Sequence, residues 1–308
     1  MAAGNPDYLA LFQSYLLAER HLARNSVMSY MLDIAKLERL LAGQGTASLF
    51  EATPAHLKAY VRSLHTAKAQ PRTIARKISS MKVFFGFLAD RFGIANSAAD
   101  LVVPKIDKTL PVFLTHDEIK AMMQTALLEA TTSRGKRNAL MLQLLYATGL
   151  RITELITLRL ENINFDTGFL NVIGKGGRQR DIPLPLVVCE QLQNYVDTLL
   201  PESIKEVSGE LSPKLFLFPL VRNKKIKPIT RQAFWIILKK ILAASGVHKN
   251  VSPHTLRHSI ATHLLQAGAD IRSLQLLLGH ERMSTVEIYT HLDKSMVRKA
   301  YDKKHPRA

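Results

Sequence analysis

The residues of this chain that could carry chemistry are cationic and phenolic. They are Arg151, Lys175, the run His254-Thr255-Leu256-Arg257-His258, His280 and Tyr289. Two fixed arginines can clamp the nonbridging oxygens of a phosphate as its pentavalent transition state forms. Histidines can complete the clamp and move protons near neutral pH, and cationic surroundings make a tyrosine hydroxyl a better nucleophile. The set indicates metal-free phosphoryl transfer, whose phosphotyrosyl ester would conserve the energy of the broken bond.

Other enzyme classes fit these residues poorly. Gly174-Lys175 lacks the glycine spacing and the following Ser or Thr of a phosphate-binding loop. Two-metal nucleases need clustered carboxylates, and the chain has no Asp-x-Asp pair. His254 and His258 have the i, i+4 spacing of zinc ligands, but Thr255 stands where a zinc protease needs glutamate. We therefore predict no metal and no cofactor.

The charge balance indicates a polyanionic partner. The chain has 42 Lys and Arg against 25 Asp and Glu, a formal charge of +17. Residues 1–103 hold 12 of these cations against 7 anions, so both parts of the chain are basic. Lysine and arginine that replace counterions on nucleic acid supply sequence-independent affinity. The alternative is a basic protein without a nucleic-acid partner.

The composition also predicts a cytoplasmic protein without a membrane segment. Cys189 is the only cysteine, so neither an intrachain disulfide nor a cysteine-rich zinc site can form. The first twenty residues carry Asp7 within their apolar stretch and lack the basic start of a secretory signal. No apolar run approaches the roughly 18 residues needed to span a bilayer.

The first domain, residues 1–103, is predicted to be helical. Apolar residues recur every three or four positions in four segments, one of which stops at Gly43 and another of which opens at Thr53-Pro54. The fourth segment, about 72–92, has Arg72, Arg76, Lys77 and Lys82 on the face opposite its apolar stripe. Such a face is either simply solvated or rests on phosphates. The candidate DNA contacts are Arg72, Arg76, Lys77, Arg178 and Arg282.

A linker at residues 104–112 is predicted to lead into a second domain, 113–308. Thr115 to Glu118 has the capping-box pattern of a helix start, and another helix is expected to end at Gly149. Short strands are predicted at 162–165, 170–173 and 180–184, followed by helices after Thr230. The expected fold is mainly α, with a small antiparallel sheet in the second domain.

Several motifs, in this order, resemble the tyrosine recombinase (phage integrase) family. They are Ala147-Thr148-Gly149-Leu150-Arg151-Ile152-Thr153-Glu154-Leu155, Gly174-Lys175-Gly176, the 254–258 run, Leu278-Gly279-His280 and Ile288-Tyr289-Thr290-His291. The resemblance covers nearly the whole chain, and it is strongest to the cellular Xer recombinases. It implies a SAM-like helical DNA-clamping domain followed by a catalytic domain.

The resemblance also implies a role for each candidate. Arg151 and Arg257 would hold the scissile phosphate, and Lys175 would protonate the departing 5′ oxygen. His254 would act as acid and base, His280 would bond a phosphate oxygen, and Tyr289 would form a 3′-phosphotyrosine. Glu154 would orient this site without touching the DNA.

The implied partners are a double-stranded DNA site and further recombinase subunits, identical or paralogous, in a tetramer on two sites. Strands would be exchanged through a Holliday junction, and the Xer likeness adds chromosome dimer resolution and a septal DNA translocase. Three alternatives stay open: an integrase of a phage, plasmid or integron, a topoisomerase of the tyrosine type, and a non-catalytic DNA-binding protein.

Overall fold

The chain folds into two compact units, Met1–Thr109 and Leu110–Ala308. The computed structural model describes residues 7–43, 45, 48–105, 112–174, 177, 179–205, 207, 211–270 and 277. Residues 106–111 of the predicted linker lie outside this set, so the bounds of the linker stay a prediction.

The first unit is helical, as the periodicity predicted. Its helices are α1 (Tyr8–Ala18), α2 (Arg24–Ala42), α3 (Pro54–Thr66) and α4 (Pro71–Phe92), with a 3₁₀ turn at Leu49–Glu51. The Thr53 hydroxyl accepts from the His56 amide at the start of α3, and Gly43 caps α2. Glycine at position 93 ends α4 with φ +66, a left-handed conformation that glycine adopts without steric cost.

Aromatic rings fill the core of the first unit. Phe84 of α4 lies edge-on against Phe12 of α1, with ring centroids 5.0 Å apart, and against Phe85 at 5.3 Å. All three rings are buried. Edge-to-face packing adds to the large apolar area that such rings bury, so this cluster ties the first helix to the fourth.

The second unit is mostly helical and carries two small antiparallel sheets. Its helices are α5 (His116–Leu128), α6 (Ser133–Thr148), α7 (Ile152–Thr157), α8 (Leu186–Asn194), α9 (Leu200–Ile204), α10 (Arg231–Ala244) and α11 (Pro253–Gln266). Its strands are β1 (Ile163–Asn164), β2 (Phe169–Ile173), β3 (Gln179–Pro183), β4 (Pro219–Arg222) and β5 (Lys225–Pro228). A π-helical turn, Tyr195–Leu199, joins α8 to α9.

The three-stranded sheet has the order β1-β2-β3, and its register fixes which side chains face the core. Val172 pairs with Arg180 and Leu170 pairs with Ile182, so these four residues share one face. Leu170, Val172 and Ile182 are buried. The side chain of Arg180 therefore lies among apolar neighbours on the inward face.

Helix α6 is the centre of the second unit. Every residue from 139 to 148 is buried, and α5, α7, α8 and α11 all pack against this helix. This mostly apolar stretch is buried on all sides, as is typical of a helix in the interior of a domain. The turn that follows α6 is thereby fixed to the core.

Among the described residues, no helix is long and apolar enough to cross a membrane.

Candidate active site

Arg151 stands at a tight junction between two helices. Helix α6 ends at Gly149, whose φ of +61 is left-handed. Leu150 is fully buried, and Arg151 is the residue that caps the amino end of α7. Because the core holds both sides of this turn, the backbone of Arg151 is well fixed, while its side chain keeps 27% of its surface exposed.

Glu154 is the buried anion of the site, with 6% of its side chain exposed. One carboxylate oxygen accepts from Nη1 of Arg151 at 2.9 Å and from Nη1 of Arg180 at 3.1 Å. The other accepts from the Arg151 amide at 2.8 Å and from Nη2 of Arg180 at 2.8 Å. These four bonds occupy the accepting capacity of a carboxylate.

The surroundings of Glu154 favour its charged form. Burial by itself raises the pKa of a carboxyl group, but the hydrogen bonds and charges of Arg180 and Arg151 outweigh burial here. The pKa of Glu154 therefore lies below its ordinary value. The carboxylate stays ionised at neutral pH and holds both guanidinium groups by charge-assisted bonds.

Arg257 contacts the turn after α6, which also carries Arg151. The Arg257 side chain lies on α11, the residue is 7% exposed, and its Nη1 donates to the carbonyl oxygen of Gly149. Burial lowers the pKa of Arg257 to about 10, and the positive charges of Arg151 and Arg180 contribute to the decrease. The guanidinium still carries its charge at neutral pH. The structure thus brings the two predicted clamp arginines together.

Two further contacts fix helix α11, which carries Arg257. The hydroxyl of Ser259 accepts from the amide of Leu114 at 2.8 Å. The Nδ1 atom of His263 lies 2.9 Å from the hydroxyl of Tyr146 on α6. Burial, together with the charge of His116, lowers the pKa of His263, so its ring is neutral at neutral pH and suits this buried bond.

His254 lies in the first turn of α11 and is exposed. It precedes Arg257 by three residues, so the two stand on the same side of the helix. Ser252 and Pro253 start the helix, the first as a cap and the second at the first helical position. This start places an accessible imidazole one turn from Arg257.

The other predicted site residues lie outside the described part of the chain. They are Lys175, His280 and Tyr289 of the candidate catalytic set, together with Arg178 and Arg282. The flanking strands are described: Ile173 of β2 pairs with Gln179 of β3. The role of Lys175 stays a prediction.

In the first unit, the expected outward position of Lys77 is wrong. Its Nζ lies 2.9 Å from the hydroxyl of Tyr60 and 3.4 Å from a carboxylate oxygen of Asp33, and the residue is 6% exposed. Arg76 pairs with the same Asp33 but remains exposed, as does Arg72. A buried anion needs cationic partners. The Lys77 side chain is therefore buried beside Asp33. Arg72 and Arg76 are thus the candidates on this helix with accessible side chains.

Sequence reasoning missed Arg180 as a member of the site. Residues two apart on a strand face the same side, and Arg180 is two residues before the apolar Ile182 of β3. An arginine on an inward strand face requires an anion. The alternation of side chains along β3 therefore indicated a buried anion near Arg180. In the structure this anion is Glu154.

The comparisons with known proteins agree with the site. Residues 112–296 match the model of the phage integrase family, and residues 9–91 match that of the phage integrase N-terminal SAM-like domain. The chain therefore belongs to the phage integrase family, and it is a site-specific tyrosine recombinase. The predicted family and the predicted mainly helical fold are confirmed.

Its similarity to named relatives extends over nearly its full length. It is 36% identical to tyrosine recombinase XerD of Staphylococcus saprophyticus subsp. saprophyticus, over 96% of this chain and 98% of that protein. It is 37% identical to tyrosine recombinase XerD of Staphylococcus aureus, over 98% of both. The site-specific recombinase XerH, solved with its difH substrate, shares the fold with a TM-score of 0.64 at 20% identity, over 95% of this chain and 94% of that one. The chain is an Xer-type tyrosine recombinase.

Proposed function

We propose that this recombinase cuts and rejoins DNA through a 3′-phosphotyrosine on Tyr289 and resolves chromosome dimers at cell division. The observation that carries the chemical proposal is the fixed pair of guanidinium groups at one turn. Arg257 bonds the carbonyl oxygen of Gly149, and Arg151 follows two residues later with its side chain tied to Glu154. Such preorganised donors stabilise charge that develops on a phosphate.

In the proposed cleavage step, the hydroxyl oxygen of Tyr289 attacks the scissile phosphorus and the bond from phosphorus to the 5′ oxygen breaks. His254 accepts the tyrosine proton, and Lys175 gives a proton to the departing 5′ oxygen. Arg151, Arg257 and His280 hold the nonbridging oxygens. The product is a phosphotyrosyl ester and a free 5′ hydroxyl.

Rejoining reverses these transfers on a new strand. The 5′ hydroxyl of the partner duplex attacks the phosphotyrosyl phosphorus, and Tyr289 leaves and regains its proton. One ester bond replaces another in each step, so the exchange needs no ATP. Two successive strand exchanges would pass through a Holliday junction.

The proposed partners follow from charge and from the relatives. XerH of the same fold was solved on its difH DNA, and a net charge of +17 suits double-stranded DNA as the partner here. We propose a tetramer on two DNA sites, built with identical or paralogous subunits. It would act in the cytoplasm with a septal DNA translocase as a partner. The two XerD relatives, matched over 98% of their length, support the chromosomal role over that of a mobile-element integrase.

The test of the chemistry begins with the DNA site. Duplexes bound from a random-sequence library would define the site, and a nicked form of it would trap the cleaved state. Wild-type protein should form an adduct that survives denaturing electrophoresis, and mass spectrometry should place the nucleotide on Tyr289. An adduct on another residue, or none, would overturn the proposed chemistry.

The chromosomal role has its own test. In the organism that carries this chain, a Tyr289→Phe allele should leave chromosome dimers unresolved and give chained or filamentous cells. Normal division together with failed excision of an integrated element would identify an integrase instead.

A further inference from the structure

Arg180 donates three hydrogen bonds to two partners around the candidate active site. Its Nη1 and Nη2 atoms donate to the two oxygens of Glu154 at 3.1 and 2.8 Å. Its Nε donates to the backbone carbonyl oxygen of Leu277 at 3.1 Å. Only 11% of its side chain is exposed. The guanidinium thus joins strand β3, helix α7 and the chain three residues before His280.

The charge of Arg180 changes what Arg151 can do. Without Arg180, Arg151 would be the one arginine among the described residues hydrogen-bonded to Glu154, and that ion pair would compete with a phosphate for the Arg151 guanidinium. With Arg180 present, the group has a net charge of +2, because three arginines, Arg151, Arg180 and Arg257, surround the single carboxylate of Glu154. A phosphodiester carries one negative charge, which grows toward two in the pentavalent state formed by an attacking phenolate.

The shape of the guanidinium matters as much as its charge. The two parallel bonds to Glu154 form the planar fork that arginine makes with carboxylates, and a lysine cannot reproduce it. The fork turns the carboxylate so that its remaining lone pairs meet the amide and Nη1 of Arg151. Arg180 therefore fixes the position of Arg151, although Arg180 lies on β3 and Arg151 lies at the start of α7.

We propose that Arg180 is a positioning residue for recombination: it neutralises Glu154 and holds Arg151 where it can bind the scissile phosphate. The inference rests on the proposed function, because it assumes that Arg151 binds the phosphate. It predicts an effect on the cleavage step and little effect on DNA affinity.

The test compares single-turnover cleavage of the nicked site duplex with its binding in gel shifts. Arg180→Gln should slow cleavage by roughly tenfold to a hundredfold, as is usual when a partner that orients a site residue is lost, while the Kd for DNA changes less than about threefold. Arg180→Lys, which keeps the charge without the fork, should cleave faster than Arg180→Gln. Arg222→Gln, at an exposed position on β4, controls for the loss of one positive charge.

Arg180→Gln leaves the buried carboxylate of Glu154 with one cationic partner fewer, which could destabilise the fold. A double variant keeps the test decisive in that case. Glu154→Gln with Arg180→Gln removes both charges, and it should cleave at nearly the rate of Glu154→Gln alone, because coupled residues have non-additive effects. A further tenfold loss in the double variant would overturn the inference. So would wild-type cleavage by Arg180→Gln, or Arg180→Lys no faster than Arg180→Gln.

The assay also separates this inference from the proposed function. If the wild-type protein forms no covalent adduct with the nicked duplex, the proposed chemistry fails and the role of Arg180 falls with it. If the wild type cleaves and the Arg180 variants cleave equally well, only the inference about Arg180 fails.

Discussion

The guanidinium of Arg257 donates a hydrogen bond to the carbonyl oxygen of Gly149, across 108 positions of sequence. Helix ends leave carbonyl groups without partners inside the helix, and this one at the end of α6 is satisfied by a candidate catalytic side chain. The contact orients Arg257 toward the turn that carries Arg151. One hydrogen bond thus both stabilises the end of α6 and orients an arginine of the proposed phosphate clamp.

Replacement of either clamp arginine should therefore abolish efficient cleavage. We expect Arg151→Ala or Arg257→Ala to lower the single-turnover cleavage rate by roughly 10²-fold or more, the usual effect of losing a preorganised oxyanion donor. Arg222→Gln provides a control for general charge loss. Chelators should leave the wild-type rate unchanged, and if EDTA abolished cleavage and magnesium restored it, the metal-free mechanism would be wrong.

Tyr289→Phe should bind DNA as well as the wild type does and form no covalent complex. The substitution removes only the attacking oxygen and leaves the phosphate contacts in place. Gel shifts measure the binding, and denaturing gels of the nicked duplex measure the adduct. Tyr301→Phe is the matched control and should cleave normally; an adduct that persists in Tyr289→Phe would move the nucleophile to another residue.

Lys175 can be tested through the chemistry of the leaving group. A 5′ sulfur departs without being protonated, so Lys175→Ala should be severely slow on a normal phosphate and largely rescued on a 5′-thio substrate. The comparison is made by single-turnover cleavage of the two duplexes. Equal defects on both substrates would show that Lys175 is a phosphate contact and not the acid.

The acid stability of the second unit should depend on Glu154. Since the folded-state pKa of Glu154 lies below its ordinary value of 4.5, its contribution to stability is present above about pH 4.5 and is lost as the pH falls through the folded pKa. Glu154→Gln should be less stable than the wild type at pH 7, by about 1–3 kcal/mol. That difference should shrink at lower pH.

Thermal melts of the two proteins from pH 7 to pH 3 would measure this effect. Glu161→Gln, at an exposed glutamate of the same unit, is the control and should follow the wild type throughout. A Glu154→Gln deficit that stays constant across the range would contradict the assigned pairing.

Local signals account for the parts of the fold that the sequence predicted. The Thr115 hydroxyl accepts from the Glu118 amide, and the Glu118 carboxylate accepts from the Thr115 amide, as their spacing indicated. The predicted strands also form, with ends shifted by about one residue. Such features depend on neighbours within a few positions, which a single sequence displays.

The missed hairpin, β4–β5, shows where local signals fail. Its turn is Asn223-Lys224, and both residues have positive φ, at 51 and 54. A two-residue turn with positive φ at both positions usually has the sequence Asn-Gly or Asp-Gly. Because Lys224 stands in the second position, the sequence does not match this turn pattern and did not predict the hairpin.

Contacts between distant residues explain the remaining differences at the site. Lys77 is buried because Asp33, 44 positions earlier, lies inside the first unit. Arg180 joins the site because β3 places it beside Glu154, 26 positions earlier. Neither pairing is encoded in a local pattern. The motifs therefore singled out the two proposed clamp arginines, but they did not show that Arg180 is bonded to Glu154.

The segment after Tyr289, the proposed nucleophile, lies outside the described part of the chain. Met296, Val297, Ala300 and Tyr301 have the spacing of a narrow apolar stripe on a helix of about three turns. So short a helix is marginally stable alone and must pack against another surface. The resemblance to the family favours a neighbouring subunit, which would couple the position of Tyr289 to assembly.

Truncation before Ser295 should therefore leave a monomer that binds a half-site but fills the second half-site without cooperativity and loses coordinated strand exchange. Gel shifts on half-site and full-site duplexes measure cooperativity, and a recombination assay on two full sites measures exchange. A chain that ends at Tyr301 keeps the stripe and serves as the matched control. Unchanged cooperativity in the shorter protein would place the segment on its own domain, because a helix docked within one subunit has no means of linking the occupancy of two half-sites.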